Sequence, residues 1–90
     1  MDQVEAAVAA FMALVRVQVQ REGLRQLTPS DARLQRVLYA DLDVAQRRLL
    51  HALVGPEEPW LVAEAAAGVA ACALQIAVSV GGLPREDGGP

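Results

Sequence analysis

The stretch from Trp60 to Leu83 constrains the fold of this chain most strongly. It contains a single charged residue, Glu64, and no formal charge from Ala65 to Leu83. A helix this apolar cannot lie on a protein surface with most of its circumference in water. We therefore expect the rest of the chain, including further copies of it, to cover this segment.

The spacing of apolar residues in this stretch predicts a helix with two apolar faces. Steps of three and four residues place one continuous stripe on a single face, which we predict to be core. This stripe consists of Val62, Ala65, Val69, Cys72, Ile76, Val80 and Leu83. A second strip on the far side consists of Leu74 and Val78 with Ala67, Ala70 and Ala71. The helix needs cover on both sides, and Glu64, Gln75 and Ser79 form a narrow polar seam between the two.

Small residues in the same stretch predict a tight helix crossing. Gly68, Ala71 and Cys72 lie close together along the helix. Because small side chains let a neighbouring backbone come near, we interpret them as a packing site and not as a ligand pocket.

Composition favours an all-α fold that is completed by self-association. Hydrophobic residues make up 53% of the chain and aromatic residues 3%, which is typical of closely packed helices and unlike a β-sandwich or barrel. Ninety residues form one domain, which we place at residues 1–83. A domain of this size buries only about two-thirds of its unfolded surface, so a second copy would add needed stability.

Local signals divide the chain into three helices, at about residues 2–22, 29–54 and 58–81. Gly23 is placed to end the first helix, and Thr28 and Pro29 are placed to start the second. Gly55-Pro56 ends the second helix, and the short connector predicts an antiparallel hairpin with the third. Residues 84–90 lack apolar side chains, and we expect a disordered tail there.

The first two helices each show an apolar stripe. In the first helix it consists of Val4, Val8, Phe11, Val15 and Val19. In the second it consists of Leu34, Leu38, Leu42, Ala45, Leu49 and Ala52 with Leu53. Opposite the second stripe, Asp43 precedes Arg47 by four residues, which predicts an exposed ion pair.

Charge and cysteine content exclude several classes of partner. The net charge is −3 and the pI is about 4.9, so no basic surface is available to displace counterions from nucleic acid. Cys72 is the only cysteine, which excludes an internal disulfide and a Cys/His metal motif. The N-terminus opens with acidic residues where a secretory signal is basic, so we expect a cytoplasmic protein.

The third helix is long enough to cross a membrane, but its composition favours burial in protein. Alanine and glycine are nearly neutral for insertion, and Glu64, Gln75 and Ser79 oppose it. A buried soluble helix with no membrane partner is the prediction. A small membrane protein stays open as an alternative.

The titratable residues predict no catalytic or cofactor-binding site. Asp41 and Asp43 are two residues apart and cannot both face one ion on a helix, whereas Glu57 and Glu64, seven apart, can share a face. His51 is predicted on the solvent face of its helix. No Ser or Cys lies at a spacing that would pair it with His51 as a nucleophile. Nucleotide-binding and acyl-transfer motifs are missing from the sequence.

The order of features from Leu38 to Leu83 resembles the second half of the MazG-like all-α nucleoside triphosphate pyrophosphohydrolases. The matching features are a helix ending in Ala52-Leu53, the turn at residues 55–58, and a helix that opens with Glu64-Ala65-Ala66 and closes at Gly81-Gly82. The resemblance implies a helical bundle that works as a dimer or tetramer. It also implies an ExxE pair and an ExxD pair that hold magnesium ions.

In the best register, three of the four magnesium ligands that the resemblance implies are replaced. Ala45 and Arg48 take the place of the first pair, and Ala67 takes the place of the final aspartate. Only Glu64 remains, with Asp41 a turn away from the first pair. The resemblance therefore implies a copy that has lost hydrolysis.

These observations predict an all-α, antiparallel bundle of three main helices that self-associates, as a dimer or tetramer, through its third and first helices. We expect a non-catalytic interaction or scaffold protein that needs no cofactor. The predicted interface residues are Val62, Val69, Cys72, Leu74, Ile76, Val78 and Val80. The alternative is a divergent Mg²⁺-dependent nucleotide pyrophosphohydrolase that uses Glu64 with Asp41 or Glu57.

Overall fold

A computed structural model describes residues 2–23, 32–55, 58–81 and 83–84. These residues form three helices: α1 (Gln3–Glu22), α2 (Ala32–Val54) and α3 (Pro59–Ser79). No strand occurs in these ranges, so the predicted all-α class is confirmed. The predicted start of α2 at residues 28–29, Glu57, and residues 85–90 of the predicted tail lie outside the described residues.

Local capping groups set both ends of α1. The Asp2 carboxylate accepts a hydrogen bond from the Glu5 backbone N–H at 2.8 Å, which satisfies a donor of the first turn. At the other end, the Gly23 N–H donates to the Val19 carbonyl at 2.7 Å, and Gly23 has a φ of 76°. Only glycine adopts this backbone conformation readily, so the predicted end at Gly23 is confirmed.

The connection between α2 and α3 follows the turn signals of the sequence. The Gly55 N–H donates to the His51 carbonyl at 3.0 Å and closes α2. Pro59 occupies the first turn of α3. Backbone N–H groups in the first turn have no acceptor within the helix, so the missing N–H of proline costs no hydrogen bond. Glu58 precedes it as the N-cap residue without a capping bond from its side chain.

The third helix lies between the other two. It packs against α1 and against α2, whereas no described residue of α1 has its Cα within 8 Å of one in α2. The three helices therefore form an open bundle, and the predicted all-α helical bundle is confirmed.

The core of this bundle is small. Val15 of α1 packs on Ala67 and Ala71 of α3, and Phe11, Val19, Ala70 and Leu74 surround this cluster. On the other side of α3, Leu38 and Ala52 of α2 are buried. These five buried residues are all the described residues with less than a tenth of their surface exposed.

The prediction that the stripe from Val62 to Leu83 forms the core is wrong. None of its members is buried; Val80 is 63% exposed and Leu83 is 47% exposed. The buried residues, Ala67 and Ala71, belong to the second strip. Because methyl side chains let α1 come closest, the helix packs where the alanines are and not where the larger aliphatic residues are.

The stripes of α1 and α2 are covered only in part. Val15 is 2% exposed, but Val8 is 55% and Val4 is 70% exposed on the same face. In α2, Ala52 is buried while the neighbouring Leu53 is 62% exposed, and the side chain of Leu34 lies outside the described residues. The predicted stripes of α1 and α2 are thus longer than the surface that α3 covers.

Gly68 does not take part in the predicted tight crossing. A Cβ atom added at Gly68 would have no neighbour within 4 Å, so this residue faces open space. The close approach occurs at Ala71, as predicted, and at Ala67. The predicted Asp43–Arg47 pair is confirmed at 3.2 Å, although its exposure leaves it a small contribution to stability.

Candidate interaction groove

An open groove of about 660 Å³ lies between α1 and α2, with α3 as its floor. The α1 wall consists of Gln18, Arg21 and Glu22. The α2 wall consists of Asp41, Val44, Ala45, Arg48, His51 and Ala52. The floor consists of Leu61, Glu64, Ala65, Gly68 and Cys72. This groove exists because α1 and α2 pack on the two flanks of α3 without meeting.

The floor of the groove is made of small side chains. Ala65, Gly68 and Cys72 follow one another at helical spacing, and Gly68 presents no side chain. A floor of this kind lets another backbone approach closely, as small residues do at helix crossings.

The walls of the groove carry charges of both signs. Arg48 and His51 line the α2 wall, and Arg21 lines the α1 wall. Glu22, Asp41 and Glu64 supply the acidic groups. A groove with mixed charges and a partly apolar lining suits a polypeptide surface better than a single small anion.

The three helices converge at one end of the groove around a cavity of about 40 Å³. Glu22 of α1, Asp41 of α2, and Cys72 with Gln75 of α3 are among its lining residues. Because early α2 residues meet late α3 residues here, α2 and α3 run antiparallel, as predicted. The cavity is large enough for ordered water but too small for an organic ligand.

The environment of Cys72 keeps its thiol protonated. Burial raises the pKa of the Cys72 thiol above its ordinary value of 9.0, and the negative charges of Glu22 and Asp41 raise it further. Since the thiolate is the nucleophilic form, Cys72 is a weak nucleophile at neutral pH.

Two of the three predicted metal-ligating residues line the groove. Glu64 lies on the floor and Asp41 on the α2 wall, while Glu57 lies outside the described residues. Within the part of the chain that is described, no three His, Cys, Asp or Glu side chains come together in a metal-binding group.

The described surface of α3 is unusually apolar for a helix with so little cover. An 18-residue window within Pro59–Ser79 has a mean hydropathy of 1.9, and 17% of it is buried. By length and composition alone, such a helix can cross a membrane. Two residues of its polar seam bond to each other, because the Ser79 hydroxyl donates a hydrogen bond to the Gln75 carbonyl at 2.8 Å.

The comparisons with protein-family models, with curated proteins and with solved structures each give no match. The resemblance of residues 38–83 to the MazG-like proteins therefore stays a prediction, and the groove and the exposed surface carry the functional argument.

The predicted interface residues of α3 occupy different environments. Val62, Val69, Cys72, Ile76 and Val78 are half-buried, and Val80 is exposed. Leu74 packs beside the Val15 cluster of its own chain.

Sequence reasoning missed the groove walls on α1, Gln18, Arg21 and Glu22. The distance between α1 and α2 decides whether these residues face a groove, and no local pattern in the sequence encodes that distance.

Proposed function

We propose that this protein is a non-catalytic helical interaction protein that works as a homo-oligomer, either a dimer or a tetramer. A further copy covers the part of α3 that α1 and α2 leave open. The protein is cytoplasmic, needs no cofactor, and takes proteins and not nucleic acid or membranes as partners.

The low burial of the described helices carries this proposal. Only five of the described side chains are buried, Val15, Leu38, Ala52, Ala67 and Ala71. Stable domains enclose the apolar face of each helix, and here α1 and α2 leave part of α3 open.

The chemical character of this surface supports the same proposal. Large apolar side chains are exposed on every helix, including Trp60 of α3. On α1 they are Val4, Val8, Met12, Leu14 and Val17. On α2 they are Val37, Tyr39, Val44, Leu50, Leu53 and Val54. Water contact with this much aliphatic surface opposes the monomer, and burial between copies removes it.

Light scattering coupled to gel filtration tests the proposal. We expect a mass of two or four times 9.5 kDa at micromolar concentration. A folded monomer under these conditions would exclude a homo-oligomer.

One observation favours an enzymatic alternative, a divergent Mg²⁺-dependent nucleotide pyrophosphohydrolase. Asp41 and Glu64 line the same groove as Arg48 and His51, so carboxylates for a hydrated Mg²⁺ and cationic groups for phosphate lie together. Pyrophosphate release from a nucleotide panel, lost on removal of Mg²⁺ and in Glu64→Gln, would replace the first proposal. Equal background in the wild type and in Glu64→Gln would eliminate the alternative.

A second alternative, a small membrane protein, is favoured by the hydropathy and low burial of α3. It predicts that the protein sediments with membranes and requires detergent for extraction. Recovery of the folded protein in the soluble fraction would eliminate it.

A further inference from the structure

We draw no further inference here: the strongest candidate, the exposed apolar face around Val4 and Val8 on the N-terminal half of α1, carries no proposal because nothing in the structure shows what covers it.

Discussion

Single residues of α3 have roles that their size decides. Ala67 and Ala71 are buried against Val15, while the larger Val69 is only half-buried. The sequence predicted the apolar character of these positions, but not which of them meet α1, because contact distance favours the smallest side chain. Side-chain size alone was also insufficient at Gly68. Its lack of a side chain predicted a helix crossing, but Gly68 lines the groove instead.

A larger side chain at Ala71 should destabilise the fold. Ala71 is 6% exposed and packs on Val15, so Ala71→Leu should lower the free energy of unfolding by about 1–3 kcal/mol through overpacking. Gly68→Ala is the control, and it should raise this free energy by up to about 1 kcal/mol, because alanine favours a helix and its methyl group meets no atom. Urea unfolding measures both, and an unchanged midpoint for Ala71→Leu would contradict the close approach.

The protonated state of Cys72 should appear in the pH dependence of stability. Because the folded state raises the pKa of this thiol above 9.0, the folded protein holds the proton more tightly than the unfolded chain. The contribution of Cys72 is therefore fully present below pH 9.0 and is lost as pH rises through the folded pKa. The difference in unfolding free energy between the wild type and Cys72→Ala should not change with pH near neutrality and should shrink above pH 9.0. A difference that grows with pH would contradict a raised pKa of Cys72 in the folded state.

At the scale of the helices, local chemistry explains most of what the sequence predicted. The ends at Gly23, Gly55 and Pro59 follow from groups within a few residues, so the turn signals were sufficient. The extent of each covered stripe was not predictable, because it depends on where a neighbouring helix ends. Val4 and Val8 lie on the same helix face as Val15, but no other helix covers them.

The docking of α1 on α3 depends on Val15. Val15→Ala should lower the free energy of unfolding by about 1–3 kcal/mol, since it removes buried methyl groups and leaves a cavity beside Ala67. Val17→Ala on the exposed side of the same helix should change it by less than about 0.5 kcal/mol. Chemical denaturation compares the two, and equal losses would show that α1 does not dock through this face.

At the scale of the whole molecule, the gap between α1 and α2 determines which part of the α3 surface remains exposed. The predicted need for cover on two sides of α3 agrees with the two packed flanks, but the groove depends on an interhelical distance that no local pattern encodes. The open bundle of three helices leaves most of α3 half-buried, and the proposed assembly rests on this feature.

Self-association should couple stability to concentration. Because a partner that binds the folded state stabilises it by mass action, the melting temperature should rise when the protein is concentrated from about 5 to about 500 μM. A melting temperature independent of concentration in the wild type would argue for a folded monomer.

Sedimentation equilibrium measures whether a second copy of the chain encloses the apolar third helix. We expect a weight-average mass of at least twice 9.5 kDa in the micromolar range, falling on dilution. A helical protein that sediments at 9.5 kDa throughout this range would contradict it.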